Sequence, residues 1–216
     1  MVKNIGISGS LFTQFLAEIR DQNIQLDSMR FRKNMERTGE IFAYEVSKKL
    51  EYVTEKIQTP LGIAEVPILK RQPVIASILR AGLPMHQGFL NFFDKAENSF
   101  ITSYRKYDKD GSFDIKFEHI SGPSIEGKDL ILCDPMLATG ASMLLAYKAL
   151  INKGIPRHTH IVSLIASKEG IDFLQKNLVN KNITFWTGAI DDELTVKSYI
   201  VPGLGDAGDL AFGIKE

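Results

Sequence analysis

The sequence has one cysteine, no surplus of charge of either sign and no long hydrophobic run. A single thiol, Cys133, excludes an internal disulfide and fits a reducing compartment, so we expect a cytoplasmic protein. Lys plus Arg and Asp plus Glu number 26 each, which disfavours nucleic acid as a partner because that needs a strongly basic face. No stretch approaches the roughly 18 apolar residues of a membrane span, and the N-terminus lacks the apolar core of a signal peptide.

What is present is an ordinary globular composition. Of the 216 residues, 44% are hydrophobic and 24% are charged, which predicts one domain over residues 1–216 with a full core. Cys133 ends an apolar run at 130–133, so we interpret it as an inert core thiol rather than a nucleophile.

Short apolar runs alternate with helical patterns from residue 73 onward. The apolar runs are 74–79, 99–104, 129–133, 160–166 and 183–187, and the helical patterns are 83–93, 140–153 and 168–177. Such alternation is typical of an α/β fold, a parallel β-sheet flanked by helices on both faces. Before it, residues 11–53 have the apolar spacing of two helices, and residues 54–68 alternate like a strand pair broken at 59–62.

Cations follow two of the predicted strands. Arg80, with Gly82 close behind, follows the run at 74–79, and Arg105 follows the run at 99–104. Ligands of parallel sheets collect beyond the carboxyl ends of the strands, where arginine suits a phosphate oxygen and glycine admits close approach. We therefore place both arginines at a candidate phosphate site, although a single exposed arginine is unremarkable.

The loop after the third run has the chemistry of an anion cradle. Its residues are Asp134, Pro135, Met136, Leu137, Ala138, Thr139, Gly140, Ala141 and Ser142. It leads into a predicted helix, whose first-turn N–H groups lack internal partners and carry the positive end of the macrodipole. Gly140 lets a phosphate approach those groups, while Thr139 and Ser142 supply hydroxyls. The alternative is an N-cap and tight turn without a ligand; a nucleoside-triphosphate loop is disfavoured because its Gly-Lys-Ser/Thr ending is missing.

A second glycine-rich segment, residues 199–209, lies near the C-terminus. Residues 203–208 match the GxGxxG dinucleotide fingerprint, but only eight residues follow, too few for the βαβ unit that the fingerprint requires. We interpret the segment instead as exposed backbone, held by Pro202, whose N–H and C=O groups can match the edge of a flat ring such as uracil. Asp206 and Asp209 add carboxylates, and the alternative is a flexible tail.

Taken together, these segments are similar to those of one enzyme family. The chain resembles the uracil phosphoribosyltransferases, which are type I phosphoribosyltransferases, over nearly its whole length. The matching motifs are Met29-Arg-Phe-Arg, Ile78-Leu-Arg-Ala-Gly82, Tyr104-Arg105, Asp134-Pro-Met-Leu-Ala-Thr-Gly140 and Tyr199-Ile-Val-Pro-Gly-Leu-Gly-Asp-Ala-Gly-Asp209. The motif at 134–140 is shared among phosphoribosyltransferases, whereas the motif at 199–209 is specific to the uracil enzyme.

The resemblance implies a glycosyltransferase of pyrimidine salvage, which converts uracil and 5-phospho-α-D-ribose 1-diphosphate into UMP and diphosphate. We expect a type I phosphoribosyltransferase-like core at about 70–190 and a cap formed from the N-terminal helices and the C-terminal segment, about 1–68 and 190–216. Mg²⁺ is expected to arrive with the diphosphate, without a direct protein ligand. Family members form homodimers or higher homo-oligomers, and some are activated by GTP.

The resemblance also assigns residues to each substrate. The phosphoribosyl diphosphate is assigned to Arg80, Arg105, Asp206 and all of 134–142, and uracil to the backbone of Ile200, Gly205, Asp206 and Ala207. Asp134 is expected to fix the ribose hydroxyls, and the two arginines to neutralise the leaving diphosphate. Asp206 is a candidate catalytic base for the ring proton of uracil by proximity alone.

The sequence departs from the family pattern at three places. Ala141 replaces a common glycine, Thr195 begins the three residues that replace Asn-x-x after Leu194, and Leu210 replaces a frequent arginine.

The polar stretch 106–124, with a turn at 110–111, is expected to form a lid, or else a surface hairpin. The alternative functions are transfer to a purine base, and an RNA-binding nucleotide sensor that the neutral net charge disfavours.

Overall fold

The computed structural model describes residues 1–107, 113–178 and 182–215, and for residues 103–107 and 113–118 it describes the backbone alone. The strands of this described part are Val2–Asn4 (β1), Tyr52–Thr59 (β2), Gly62–Leu69 (β3), Val74–Leu79 (β4), Glu97–Tyr107 (β5), Phe113–Ser121 (β6), Asp129–Cys133 (β7), Met136–Leu137 (β8), His158–Ser167 (β9), Ile183–Asp191 (β10), Glu193–Leu194 (β11) and Ile200–Val201 (β12). Its α-helices are Leu11–Arg20 (α1), Ser28–Ser47 (α2), Leu83–Leu90 (α3), Ala141–Ile151 (α4), Lys168–Asn177 (α5) and Ala207–Phe212 (α6).

One mostly parallel sheet forms the centre of the molecule. Its strand order is β1-β10-β9-β7-β4-β5-β6, with β8 beside β9 beyond the end of β7. The pair β5 and β6 is antiparallel, and the other described pairs of this sheet are parallel. The chain passes from β4 to β5 on one side and later enters β7 on the other side of β4. This reversal opens a crevice at the carboxyl ends of β4 and β7, where such sheets bind ligands.

Alternate side chains of the central strands enter two apolar cores, one on each face of the sheet. In β7, Ile131 and Cys133 belong to a core shared with α1, α2 and α3, whereas Leu130 and Leu132 belong to a core shared with α4 and α5. Strands covered on both faces are apolar at every position, which explains the continuous runs in the sequence. Burial raises the pKa of the Cys133 thiol to about 12, which confirms the prediction of an inert core cysteine.

The first of these cores joins the two ends of the chain. It contains Phe12 and Leu16 from α1 and Phe31 from α2, together with Ile200 and Leu204 from the C-terminal segment. The N-terminal helices therefore support the segment that was predicted to bind the base. The boundaries between core and cap stay a prediction. Among the described helices, none has the length and apolar composition needed to cross a bilayer.

The predicted α/β fold with a parallel sheet flanked by helices is confirmed, as are the two N-terminal helices and the strand pair that follows them. The bounds of α5 are as predicted, whereas α3 stops at Leu90, before the predicted end at residue 93. The short strands β1, β8, β11 and β12 and the helix α6 have no counterpart among the predictions. The three residues of β1 are too few to show a periodicity, and α6 begins inside the glycine pattern.

A buried histidine, His160, lies in the first half of β9. Its side chain is 1% exposed, and its Nδ1 accepts a hydrogen bond of 3.1 Å from Trp186 Nε1. No described residue partners its Nε2. Burial above all, and then the positive charges of His158, Lys3 and Arg157, lowers the pKa of His160 to about 3.

Acidification is expected to destabilise the fold through this histidine. The pKa of His160 is 6.5 in the unfolded chain and about 3 in the folded protein. Below pH 6.5 the unfolded chain therefore binds a proton that the folded protein does not bind. The free energy of unfolding should then fall by up to about 1.4 kcal/mol per pH unit between about pH 6 and pH 4. In urea unfolding, His160→Gln, whose amide oxygen can still accept from Trp186, should lose that part of the pH dependence. Equal slopes in the two proteins would contradict the assignment.

Candidate active site

An open cleft lies at the carboxyl ends of β4 and β7, and the two predicted ligand-binding segments meet in it. From the loop after β7 and the start of α4 it is lined by Asp134, Met136, Leu137, Ala138, Thr139, Gly140, Ser142 and Met143. From the C-terminal segment and the loop after β4 it is lined by Ser198, Tyr199, Ile200, Gly205, Asp206, Ala207, Gly208 and Ala81. The cleft holds about 770 Å³ of space, part of it open to solvent.

Three predicted site residues, Arg80, Pro135 and Ala141, are not among the described residues that line the cleft. Pro135 and Ala141 belong to the same loop as the lining residues, and Arg80 directly precedes the lining residue Ala81. Arg105 lies on β5, and its side chain lies outside the described residues, as does the predicted turn of the lid at 110–111. The role of the arginine and the lid stay predictions.

The loop after β7 is fixed by backbone pairing with β9. Asp134 N–H donates to Val162 O at 3.1 Å, and Ile165 N–H donates to Pro135 O at 3.0 Å. The next two residues form β8, in parallel register with β9. The floor of the cleft is therefore a continuation of the sheet rather than a free loop. A two-residue strand shows no periodicity, so the sequence could not reveal this support.

Gly140 turns the loop into α4. It is the N-cap of the helix and has a φ of +83°, the left-handed region that glycine adopts without steric cost. A Cβ at this position would also lie 2.9 Å from Gly170 O and 2.9 Å from Phe173 Cδ1 of α5. The glycine is thus required by its conformation and by the packing of the loop on α5, in addition to any ligand.

The first turn of α4 opens into the cleft with unused donors. Ala141 N–H donates weakly to Thr139 Oγ1 at 3.4 Å, and no described residue accepts from the N–H groups of Ser142 and Met143. These N–H groups and the partial positive charge of the helix end suit a phosphate. Ala141 itself is the first helical residue, where a methyl group is readily accommodated, so this departure from the family pattern leaves the turn intact.

Two residues at the start of α5 support the loop at 134–142, hereafter the anion loop, from behind. Ser167, the N-cap of α5, donates from its hydroxyl to Ala138 O at 2.6 Å and accepts from Gly170 N–H at 2.8 Å. A Cβ at Gly170 would lie 2.1 Å from the same carbonyl oxygen. The loop and the start of α5 therefore pack backbone against backbone, which fixes the position of the loop.

The C-terminal segment begins as a small hairpin. In the antiparallel pair of β11 and β12, Leu194 lies opposite Ile200. Thr195 closes the turn: its Oγ1 accepts from Tyr199 N–H at 3.1 Å and its own N–H donates to Tyr199 O at 2.8 Å. Because an asparagine side chain makes the same kind of turn contact, the threonine can replace it without loss of the turn.

The glycines of this segment have different roles. Gly203 is buried, has a φ of +55°, and a Cβ there would lie 2.1 Å from Ile200 O. Gly205 is exposed, has a φ of +91°, and a Cβ there would meet only Leu210 Cδ1, at 3.9 Å. The segment is thus anchored at Gly203 and Leu204 and open to the cleft at Gly205. The dinucleotide interpretation stays rejected, since the strand before the glycines, β12, pairs antiparallel with β11 and does not belong to the parallel sheet that the fingerprint requires.

Asp206 and Arg80 both contact the short helix α6. Asp206 is its N-cap and accepts a hydrogen bond from Asp209 N–H at 3.0 Å. Arg80 donates from Nη2 to Asp209 Oδ1 at 3.2 Å and to Gly213 O at 3.0 Å. The loop after β4 is therefore tied to the C-terminal segment through the residue that was predicted to bind phosphate.

Gly82 has a packing role that the sequence did not predict. A Cβ at this position would lie 2.4 Å from Ser77 Oγ and 2.7 Å from Ile78 O. The glycine is therefore required by the packing of the loop on β4, and its role beside a phosphate stays a prediction.

Sequence reasoning missed the residues that hold the C-terminal segment in place. Arg20, at the end of α1, forms a bidentate pair with Asp191, the last residue of β10, with both N···O distances at 2.8 Å. Arg32 of α2 donates to Ala211 O at 2.6 Å. The position of Asp191 at a strand end was a signal that could have found it, whereas nothing local distinguishes Arg20 from other surface arginines.

The fold and the cleft define a phosphoribosyltransferase-type enzyme: a parallel sheet whose switch point carries an aspartate-led loop that opens a helix. The model of the family described as uracil phosphoribosyltransferase matches residues 7–214. The uracil phosphoribosyltransferase of Porphyromonas gingivalis is 52% identical over 214 residues, 99% of each chain. That of Pyrococcus furiosus is 36% identical over 203 residues, 93% of this chain and 85% of the relative. The chain belongs to the uracil phosphoribosyltransferase family.

A solved structure supports the fold independently. The AQ2163 protein from Aquifex aeolicus matches with a TM-score of 0.87 over 99% of both chains, at 26% sequence identity. The similarity therefore includes both chain ends, from which the support of the C-terminal segment is built.

Proposed function

We propose that the protein transfers the 5-phosphoribosyl group of 5-phospho-α-D-ribose 1-diphosphate to uracil, giving UMP and diphosphate. The observation that carries this proposal is the single cleft in which a helix-opening anion loop meets an open, glycine-rich backbone segment. In the reaction the bond from ribose C1 to the diphosphate breaks, a bond from C1 to a ring nitrogen of uracil forms, and that nitrogen loses its proton.

The anion loop would hold the sugar substrate at the end remote from the reaction. The N–H groups of Ser142 and Met143, with the hydroxyl of Thr139, suit the 5-phosphate, and the carboxylate of Asp134 suits the ribose hydroxyls. Binding energy from this phosphate then orients C1 for attack. Arg80 and Arg105 would face the diphosphate, whose charge grows as it leaves.

The C-terminal segment would hold the base. Gly205 and Asp206 are exposed to the cleft, and Ile200 and Ala207 line it from buried positions. Peptide groups in this segment can match the acceptor and donor pattern along the uracil edge. Asp206 is proposed as the base that takes the ring proton, because its carboxylate lies in the lining of the same cleft.

Mg²⁺ fits this cleft as a companion of the substrate. Asp134 and Asp206 bring two carboxylates to the lining, and proteins hold Mg²⁺ with one or two carboxylates together with substrate phosphates. We propose that it enters with the diphosphate, where it would supply positive charge to the leaving group.

Self-association is proposed from the hairpin of β2 and β3. Within the described chain these strands pair only with each other. Ile57 and Val66 lie on one face of the hairpin and are 41% and 39% exposed, and Leu61 at the turn is fully exposed. A lone two-stranded hairpin is marginally stable in water, and clustered exposed apolar side chains mark an interaction surface. We propose a homodimer or higher homo-oligomer that covers this hairpin, with sedimentation velocity as the test. Activation by GTP is proposed on the resemblance alone.

A panel of bases tests the proposed function. The protein is incubated with 5-phospho-α-D-ribose 1-diphosphate, Mg²⁺ and one base at a time, and the nucleotides are separated by chromatography. We expect UMP from uracil and no product from hypoxanthine, adenine or guanine, with turnover lost when EDTA removes Mg²⁺ and raised when GTP is added. Product from hypoxanthine but not from uracil would overturn the proposal in favour of a purine enzyme.

A further inference from the structure

An ion pair outside the cleft grips the backbone of the C-terminal segment. Arg20 Nη1 lies 2.8 Å from Asp191 Oδ2, and Nη2 lies 2.8 Å from Asp191 Oδ1. The same Nη1 also donates to Gly203 O at 3.0 Å, and the same Oδ2 also accepts from Gly203 N–H at 2.9 Å. The pair therefore holds the peptide groups on both sides of one glycine.

The ion pair holds the segment at Gly203, the residue at which its backbone turns. Gly203 is buried and is separated from Gly205, which opens to the cleft, by the buried Leu204 alone. Both charged partners stand on rigid elements, since Arg20 ends α1 and Asp191 ends β10. Their side chains are 22% and 7% exposed, so the pair is largely removed from water.

Stability alone is a weak reason for such a pair. Removing two charges from water costs free energy that their attraction only partly returns, and well-packed apolar residues often serve stability as well or better. An apolar pair could not satisfy the N–H and the C=O of Gly203, which are buried and need partners. Arginine is suited to this task because its planar fork can bind a carboxylate with two nitrogens while one of them reaches a carbonyl.

We propose that Arg20 and Asp191 are positioning residues for the base: by fixing both peptide groups of Gly203 they set the place and direction of the open backbone at Gly205 and Asp206. This inference rests on the proposed function. Neither residue lines the cleft, so the effect acts through the backbone and falls on uracil rather than on the phosphoribosyl diphosphate.

Steady-state kinetics of Arg20→Met tests the inference. The variant removes the hydrogen bond to Gly203 O and leaves Asp191 without its cation, so the segment loses its fixed geometry. We expect the KM for uracil to rise about tenfold or more, with the KM for 5-phospho-α-D-ribose 1-diphosphate changed by less than about twofold. Arg20→Lys, which keeps the charge but not the fork, should lie between the wild type and Arg20→Met.

The selectivity for uracil over cytosine is a measurement that a merely structural role of Arg20 would leave unchanged. Uracil and cytosine differ in the hydrogen-bond pattern of one edge, so a segment that is no longer held in place should discriminate less between them. We expect the ratio of kcat/KM for uracil over cytosine to fall in Arg20→Met and to recover in part in Arg20→Lys.

The matched control is the ion pair of Arg157 and Asp129 at the amino ends of β7 and β9. Asp129 is 6% exposed, close to the 7% of Asp191, so Arg157→Met also strands a buried carboxylate. Urea unfolding should show a loss of stability in both arginine variants, whereas only Arg20→Met should raise the KM for uracil.

The outcomes separate the inference from the proposed function. If the wild-type protein forms UMP and folded Arg20→Met keeps the wild-type KM and selectivity for uracil, the positioning role is refuted. Equal changes in the KM values of both substrates, or the same rise in Arg157→Met, would also refute it. If the wild-type protein itself forms no UMP from uracil, it is the proposed function that fails.

Discussion

Gly170→Ala is expected to lower kcat/KM for 5-phospho-α-D-ribose 1-diphosphate by about 100-fold, although Gly170 does not line the cleft. A Cβ on Gly170 would lie 2.1 Å from Ala138 O and 3.1 Å from both the Ala138 carbonyl carbon and Ser167 Oγ. No flexible side chain can yield here, because the obstructing atom belongs to the backbone of the anion loop. The loop or α5 must therefore shift. A shift of about an ångström misplaces the reacting centre enough to lower the rate by about 100-fold.

The measurement is a comparison of initial rates over a range of the sugar diphosphate at saturating uracil. Gly9→Ala is the matched control, since a Cβ at Gly9 would meet nothing within 4 Å. The KM for the sugar diphosphate should rise in Gly170→Ala more than that for uracil, because the displaced carbonyl belongs to the loop that is proposed to bind phosphate. A folded Gly170→Ala protein with rates near those of Gly9→Ala would show that the loop tolerates the displacement.

Asp206→Asn is expected to lower kcat by about 100-fold while leaving stability unchanged. Two explanations account for an aspartate at this position. It caps α6 by accepting from Asp209 N–H at 3.0 Å, and its carboxylate lies in the lining of the cleft, where uracil must lose a proton. Asparagine caps a helix as well as aspartate does but cannot take up the proton, so this substitution separates the two explanations.

The matched control for this experiment is Asp27, the N-cap of α2. Asp27 caps that helix by accepting from Arg30 N–H at 3.0 Å, far from the cleft in sequence and absent from its lining. Asp27→Ala and Asp206→Ala should each lose about 1 kcal/mol of stability, and the two asparagine variants should lose almost none. Turnover should fall only in the Asp206 variants. Normal turnover in Asp206→Asn with reduced turnover in Asp206→Ala would assign the residue to capping alone.

The parts of the site that could be predicted are those whose residues are contiguous in the chain. The anion loop could be recognised because a buried strand, an aspartate, small residues and a helix follow one another, and those local features fix the chemistry of a helix N-terminus. The second segment could be interpreted as open backbone because its three glycines leave the peptide groups uncovered by side chains. The helix α6 in this segment could not be predicted, because glycine has a low helix propensity. Packing of α6 against α2 overrides that propensity in the folded protein.

The sequence by itself determined the class of fold, the two segments that line the cleft and the inert state of Cys133, since each depends on the order of neighbouring residues. Only the tertiary structure decided how those segments are held. Gly82 serves packing on β4, Ser167 braces the anion loop, and Arg20 meets Asp191 across 171 positions of the chain. Contacts of this kind are set by the path of the chain through the sheet, and no local periodicity or propensity encodes them.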